Sequence, residues 1–234
     1  MIRIFIGYDP REAGANAVLA HSLNRRSSEA LAITPVTLQS LRAMGLYRRE
    51  TNPLASTDFS FSRFLAPYLC DFKGWAIFMD NDMLARDDIA KLWALRDERY
   101  AVQVVKHNHV PREGVKFLDK VQTKYEKKNW SSVMLLNCAK CTKLTPDYVN
   151  DASGLELHQF KWLEGDEQIG GLPHEWNHLV GYDAPNPRAS LVHFTLGGPY
   201  FNEYVDCEFA DAWRAEQKDM LHVEQRAPAA AKTG

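Results

Sequence analysis

The chain has 234 residues, of which 45% are hydrophobic, 25% charged and 11% aromatic, as in ordinary globular proteins. This length suits one sizeable α/β domain and is short for two. With 28 basic and 30 acidic residues the formal charge is -2, which excludes a general attraction to nucleic acid or to an anionic membrane and leaves only local phosphate binding.

The first nine residues contain no basic region, long apolar stretch or small-residue cleavage site. Signal peptides and membrane spans require such features. We therefore expect a cytoplasmic protein with no signal peptide and no transmembrane segment. In that compartment the four cysteines should be reduced thiols and not a disulfide framework.

Two of these cysteines, Cys138 and Cys141, form a CxxC pair. A zinc site would need two more ligands, and His107 and His109 belong to what the pattern gives as a separate strand. Burial as small apolar side chains is the better interpretation of the pair.

The first half of the sequence alternates strand and helix patterns. The turn residues Gly7 and Pro10 separate the first strand from the first helix. In chain order we predict a strand over 2–7, a helix over 11–23, a strand within 31–38, a loop or short helix over 42–56, a helix over 60–69, a buried strand over 75–79, a helix from Asp87 to about Leu95 and a strand over 100–105.

The second half is less regular. Residues 106–129 are charged and poorly periodic, and we predict a strand over 133–138, a short helix beginning in 166–170, strands over 179–182 and 190–194 and a helix over 209–221. The whole pattern predicts an α/β fold: a single Rossmann-like domain over 1–222, with a mainly parallel central sheet flanked by helices, and a flexible tail over 223–234.

The strongest functional signal is the acidic triplet Asp80-Asn81-Asp82 at the end of the buried strand 75–79. Open α/β sheets commonly bind ligands at the carboxyl ends of their strands. Two carboxylates two residues apart can both turn toward one divalent ion and leave coordination positions for phosphate. The alternative is a solvated turn, since a bare DxD triplet is common by chance.

Five stretches occur in an order that resembles glycosyltransferase family 8, the retaining group that includes glycogenin and bacterial lipopolysaccharide galactosyl- and glucosyltransferases. The short bacterial members are the most similar. The stretches are IFIGYD (4–9), FSRFL (61–65), IFMDND (77–82), SSVMLLN (131–137) and HFTLGGPY (193–200). This resemblance implies the glycosyltransferase A fold, with a catalytic domain over 1–222.

The resemblance also implies a binding site for a nucleotide-diphospho-sugar. The first strand and its turn, with Gly7, Tyr8 and Asp9, would meet the nucleotide base. Arg63 would contact the donor, since a guanidinium binds phosphate or sugar oxygens in bidentate fashion. The alternative for Arg63 is an ion pair on a helix surface.

The metal site that the resemblance implies consists of Asp80, Asp82 and His193. A nitrogen ligand beside two carboxylates favours Mn²⁺, with Mg²⁺ as the second choice. Asn81 would lie beside the donor, and the loop with Gly197 and Gly198 would bring its backbone close to the ligand.

Two departures from the family pattern bear on catalysis. The lysine that usually precedes the Pro-aromatic pair, where it steadies the leaving diphosphate, is replaced by Gly198. Lys106 is our candidate for the missing cation. The asparagine and glycine usual around Ser131 are also missing, and Trp130 stands in the asparagine's place, so sugar specificity does not transfer although Ser131 stays a candidate for donor binding.

The segment 165–170 resembles the acidic-glutamine pair that lies beside the donor sugar in the family. The alignment is ambiguous by one residue, so Asp166, Glu167 and Gln168 are all catalytic candidates. For Asp166 the alternative is an acidic helix start, stabilised by the helix dipole.

These features predict a metal-dependent glycosyltransferase that moves a sugar from a UDP-sugar to a glycan or other hydroxyl acceptor with retention. One alternative is a phosphohydrolase or nucleotidyltransferase that uses the same carboxylates on a nucleotide. Another is a non-catalytic nucleotide-sugar-binding protein, an alternative that the missing lysine supports.

Overall fold

A computed structural model describes residues 1–50, 57–108 and 126–222, together with the backbone of two short strands between the last two ranges. The strands are β1 (Ile2–Gly7), β2 (Leu31–Val36), β3 (Trp75–Met79), β4 (Met83–Ala85), β5 (Val102–Val104), β6 (Val115–Lys116), β7 (Lys120–Val121), β8 (Val133–Asn137), β9 (Ile169–Gly171), β10 (His178–Leu179) and β11 (Leu191–His193). The α-helices are α1 (Ala13–Arg26), α2 (Leu38–Ala43), α3 (Ala66–Leu69), α4 (Ile89–Ala94), α5 (Pro146–Asp151), α6 (Gly154–His158) and α7 (Ala210–Met220).

The central sheet has six strands in the order β2-β1-β3-β8-β5-β9. Strand β1 runs parallel to β2 and β3, and β5 runs parallel to β9. Only β8 is reversed, since it is antiparallel to both of its neighbours. The prediction of an α/β fold with a mainly parallel central sheet is therefore confirmed.

Both faces of the central strands are buried. Ile2, Ile4 and Ile6 of β1 pack on one side with Leu19 and Leu23 of α1. Phe5 of β1, with Ala76 and Phe78 of β3, faces a second core on the other side of the sheet, as the two-residue period of a strand requires. Every residue of β3 is buried, which confirms the prediction of a central strand covered on both faces.

A second, three-stranded sheet has the order β10-β11-β4. Strand β4 starts directly after the acidic triplet, and β11 pairs with it in antiparallel register. Strand β4 was not predicted, because a run of three apolar residues directly after a turn is too short to indicate a strand. This small sheet joins the end of β3 to the late histidine block.

Several predicted elements have different limits in the structure. The helix predicted over 60–69 is a 3₁₀-helix at Ser62–Leu65 followed by α3, because Pro67 has no N–H to donate to the carbonyl four residues before it. The short helix predicted to start within 166–170 is a single 3₁₀ turn at Asp166–Gln168. Ile169 and Gly170 instead belong to β9, where burial of Ile169 and pairing with β5 outweigh helix formation.

Other differences are smaller. The strand predicted over 179–182 is only β10, and the buried face of α1 includes Ala15 and Val18, while Ala13 and Ala17 are exposed. Helices α5 and α6 were not predicted. Cys138 and Cys141 are fully buried, as expected for small apolar side chains. No helix in the described ranges is long and apolar enough to cross a membrane. The tail predicted over 223–234 lies outside the described residues.

Gly7 ends β1 beneath a buried aromatic ring. A Cβ added at Gly7 would lie 2.3 Å from Cδ2 of Phe59, which is fully buried. We expect Gly7→Ala to lower the free energy of unfolding by about 1–3 kcal/mol through overpacking. Urea denaturation would measure the change.

The matched control is Gly14→Ala, since a Cβ at Gly14 in α1 meets no atom within 4 Å. This substitution should leave stability unchanged or raise it by at most about 1 kcal/mol. Equal losses in the two variants would contradict the packing argument.

Candidate functional site

The acidic triplet lies in the turn between β3 and β4, at the carboxyl end of a central strand. The Asp80 amide donates to the Ser132 carbonyl (3.0 Å), and the Asp82 carbonyl accepts from the Phe194 amide (2.9 Å). Asn81 is fully buried, while Asp82 keeps part of its side chain accessible. The turn is thus held from both sides, by the start of β8 and by the end of β11.

Antiparallel pairing of β11 with β4 brings His193 to this turn. His193 lies opposite Met83, the residue after Asp82. Its Nε2 is 3.4 Å from Oδ1 of Asp82, and one ligand atom each of Asp80, Asp82 and His193 lies within 4.8 Å of the others. The structure therefore brings together the three side chains predicted to hold a metal ion.

The His193 ring is oriented by Asn177, which the sequence analysis did not single out. Nδ1 of His193 lies 3.0 Å from Oδ1 of Asn177, while Nδ2 of Asn177 donates to the Ser132 hydroxyl (2.9 Å). Because that donation fixes the amide orientation, Oδ1 is the atom that accepts from His193. Nδ1 therefore donates to Asn177, and Nε2 faces the carboxylates as the candidate ligand atom.

Arg63 is buried beside the acidic turn. Its Nη1 lies 2.8 Å from Oδ1 of Asp80 and donates to the Ser131 carbonyl at 3.0 Å. The guanidinium carbon is 5.2 Å from the ring centre of Phe59 and 5.3 Å from that of Phe78. The alternative of an ion pair on a helix surface is wrong, because only 5% of Arg63 is exposed. A buried guanidinium needs such partners to offset its desolvation.

Ser131, whose carbonyl accepts from Arg63, helps to hold that side chain in place. It is buried, and its hydroxyl lies 2.8 Å from Nδ1 of His158. Burial and the neighbouring Arg63 lower the pKa of His158 to about 3, so the imidazole is neutral at physiological pH. A neutral ring avoids a second positive charge beside Arg63.

A further acid lies near the cluster, and the sequence analysis missed it. Glu12 is half-buried and accepts a hydrogen bond from the Tyr200 hydroxyl (2.7 Å). Burial, followed by the negative charge of Asp82, raises the pKa of Glu12 to about 7. Burial first, then the negative charges of Glu12 and Asp82, hold the pKa of Tyr200 well above its usual range. A cation bound beside Asp82 would offset the contribution of its negative charge to both shifts.

The residues predicted to meet the nucleotide base form the turn after β1. Asp9 is fully buried, and its carboxylate accepts from the backbone and side chain of Arg11 and from the Asp58 amide. Asp9 therefore anchors this turn. Gly7 lies against Phe59, and Tyr8 is half-buried.

A second group of interacting side chains consists of the charged residues Lys106, Lys127 and Asp166 and the aromatic residue Trp130. The lysine ammonium groups lie 5.8 and 5.9 Å from the Trp130 ring centre. Lys127 also makes an ion pair of 2.5 Å with Asp166, and the hydrogen bond in this pair lowers the pKa of Asp166. Of the catalytic candidates, Lys106 thus lies over the Trp130 ring, and Asp166 is bound by Lys127, the other lysine beside that ring.

The remaining candidates lie in two loops. Glu167 is exposed and Gln168 is half-buried. Gly197 has a φ of +145°, and a Cβ there would lie 2.4 Å from the Tyr204 ring, while one at Gly198 would lie 2.2 Å from that of Tyr200. Tyrosine packing thus requires both glycines, and a backbone contact with the donor stays a prediction.

Sequence comparison identifies the family of this chain. It is 48% identical over 224 residues to protein CDI of Arabidopsis thaliana, a match that covers 93% of this chain and 86% of that protein. The chain belongs to the protein CDI family. No protein-family model matches the sequence.

Solved structures share the fold of this CDI-family chain. The bifunctional glycosyltransferase WbbM matches with a TM-score of 0.63 and 12% identity, over 92% of this chain and 49% of WbbM. Streptococcus pneumoniae GlyE matches at 0.59 and 15%, over 95% and 63%. The chain thus spans about half of WbbM and under two thirds of GlyE.

The galactosyltransferase LgtC, solved with donor and acceptor sugar analogues, matches with a TM-score of 0.55 and 12% identity over 97% of this chain and 98% of LgtC. The fold is that of the glycosyltransferase A type, which confirms the prediction from the sequence.

Asn177 should set the metal affinity of the site. We expect Asn177→Ala to weaken Mn²⁺ binding about 10–100-fold, as the loss of a residue that orients a histidine ligand typically does. Asn177→Asp should retain most of the affinity, because a carboxylate also accepts from Nδ1 of His193. Calorimetric titration would measure both. Equal weakening in the two variants would contradict the orienting role.

Glu12 should make stability depend on pH. Its folded pKa of about 7 lies above the usual value of 4.5, so its contribution is complete below pH 4.5 and is lost as the pH rises through 7. We expect Glu12→Gln to stabilise the metal-free protein at pH 8 by on the order of 1–2 kcal/mol, with little change at pH 4.5.

Urea denaturation in a chelator would measure this difference. Glu203→Gln, at an exposed position, is the control and should change stability at neither pH. A Glu12→Gln effect of the same size at both pH values would contradict the assigned cause.

Proposed function

We propose that this protein is a metal-dependent glycosyltransferase that moves a sugar from a nucleotide-diphospho-sugar, a UDP-sugar, to a hydroxyl group of a glycan or other acceptor. The observation that carries the proposal is the convergence of Asp80, Asp82 and His193 at the carboxyl end of β3, within a glycosyltransferase A fold. In such sheets this edge is where ligands bind.

The three proposed metal ligands suit a divalent cation. Asp80 and Asp82 offer the oxygen ligands that hard ions prefer, and the Nε2 lone pair of His193 favours Mn²⁺ over Mg²⁺. The raised pKa of Glu12, caused first by burial and then by the negative charge of Asp82, agrees with a cation site, because a bound cation would offset the second cause. When bound, the ion supplies electrostatic stabilisation of charge on the departing diphosphate.

Basic side chains of the protein would also help to stabilise the negative charge on the departing diphosphate. Arg63 fixes the Asp80 carboxylate, so its main effect on the donor would be to hold a metal ligand in place. Lys106 and Lys127 flank Trp130 and are candidates for the role of the lysine that Gly198 replaces. Fixed positive groups aimed at developing charge act strongly in a partly desolvated site.

The acidic turn 166–168 would lie beside the donor sugar, as in the family that the sequence resembles. Asp166 is held by Lys127, which leaves it ionised and oriented. We propose retention of configuration, by attack of the acceptor on the face that the diphosphate leaves. Gly7, Tyr8 and Asp9 would form the base end of the donor site, with Asn81, Ser131, Gly197 and Gly198 along it.

The location is part of the proposal. All four cysteines, Cys70, Cys138, Cys141 and Cys207, are free thiols, which agrees with a reducing compartment such as the cytoplasm.

The test is incubation of the purified protein with a panel of UDP-sugars and Mn²⁺, with product analysis. We expect release of free UDP and loss of that release on addition of a chelator. Release of inorganic phosphate or UMP would indicate a phosphohydrolase, and release of sugar 1-phosphate with transfer of the uridylyl group would indicate a nucleotidyltransferase. Metal-dependent binding without turnover on any acceptor would indicate a binding protein.

Substitution of the proposed ligands should remove donor binding. We expect Asp80→Asn, Asp82→Asn and His193→Ala each to abolish Mn²⁺-dependent binding of the UDP-sugar, because each removes one ligand. Asp206→Asn makes the same chemical change at an exposed position and should bind normally. Thermal shift with and without Mn²⁺ would measure this, and normal binding by Asp82→Asn would contradict the site.

A further inference from the structure

A second cluster of metal-ligating side chains lies outside the acidic turn. It consists of His107, after β5, His174, in the 3₁₀-helix His174–Asn177, and Asp183. One ligand atom from each lies within 4.8 Å of the others. The proposed glycosyl transfer uses none of these three residues.

Hydrogen bonds from outside the cluster hold the carboxylate of Asp183 and the backbone of His107. Oδ2 of Asp183 accepts from the Leu179 amide at 2.6 Å, so the carboxylate presents its other oxygen, Oδ1, which lies 3.6 Å from Nε2 of His174. His107 is buried, and its carbonyl accepts from Nε1 of Trp130 at 2.9 Å. Support of this kind is typical of residues that surround metal ligands.

The two imidazoles pack edge to face, with ring centres 5.1 Å apart and an interplanar angle of 80°. This packing holds a ring nitrogen of each histidine and a carboxylate oxygen of Asp183 within 4.8 Å of one another. Nε2 of His174 and Oδ1 of Asp183 are 3.6 Å apart, which is longer than a normal hydrogen bond. A cation between the three ligand atoms would draw them together.

The ligand chemistry differs from that of the acidic turn. Two imidazoles and one carboxylate suit a borderline divalent ion, such as Zn²⁺, better than Mg²⁺ or Mn²⁺. The His174 side chain is 53% exposed, whereas that of Asp183 is 17% exposed, so the cluster opens to solvent on one side. Three protein ligands with an accessible fourth position are the pattern of open zinc sites.

We propose that His107, His174 and Asp183 form a second metal site, which binds one Zn²⁺ or a similar transition-metal ion and leaves a coordination position for water or an exogenous ligand. The 3₁₀-helix that carries His174 also carries Asn177, which orients His193. Metal at the second site would therefore stabilise the segment that positions a ligand of the first. The inference does not depend on glycosyl transfer.

The test is zinc titration of the metal-free full chain against a chromophoric chelator. We expect the wild-type protein to bind one more tight equivalent of Zn²⁺ than either His174→Asn or Asp183→Asn. The matched control is His222→Asn, which removes an exposed imidazole elsewhere and should keep that equivalent. Asp82→Asn should also keep it, which separates the two sites.

Co²⁺ provides a second readout. Its visible absorption bands should appear with the wild-type protein and with Asp82→Asn, and should be lost in His174→Asn. Equal zinc stoichiometry and affinity in wild type and His174→Asn would overturn the proposal, as would an equal loss in His222→Asn. Circular dichroism confirms that each variant is folded before titration.

Discussion

The arrangement of the whole site depends on negative charge held at the end of one buried strand. β3 is buried along its full length and ends directly at the acidic turn, so Asp80 and Asp82 meet little water. Arg63 forms an ion pair with Asp80 that balances its negative charge, and His193 approaches Asp82 from β11. The contact of His193 with Asp82 needs β4 and β11 in their observed register. A buried carboxylate without such partners would be strongly destabilising.

The sequence predicted the parts of this site that have a local signal. The apolar run 75–79 followed by two acids indicated both the central strand and the candidate ligands, and the structure confirms that His193 joins them. What was not predicted depends on contacts between distant segments. Asn177 reaches His193 from a separate 3₁₀-helix, and the high pKa of Glu12 arises from burial and from Asp82. No local pattern encodes such pairings, since they follow from tertiary packing.

Most misplaced elements were decided by tertiary context. Ile169 follows three residues with helical character, yet pairing with Val102 and burial in the core place it in an edge strand. For Arg63 a surface ion pair was the alternative to a contact with the donor, but aromatic rings and Asp80 enclose the side chain. Its burial changes the expected role, because a guanidinium that already neutralises a metal ligand acts first on that ligand. The late histidine block lacks the usual lysine, and the cations Lys106 and Lys127 lie instead beside Trp130.

The central claim is that one divalent cation binds between Asp80, Asp82 and His193. Crystals grown with Mn²⁺ and UDP, measured at the manganese absorption edge, test it most directly. The account predicts an anomalous peak within coordination distance of all three side chains, with diphosphate oxygens completing the shell. A peak elsewhere, with the three side chains left without the ion, would contradict it.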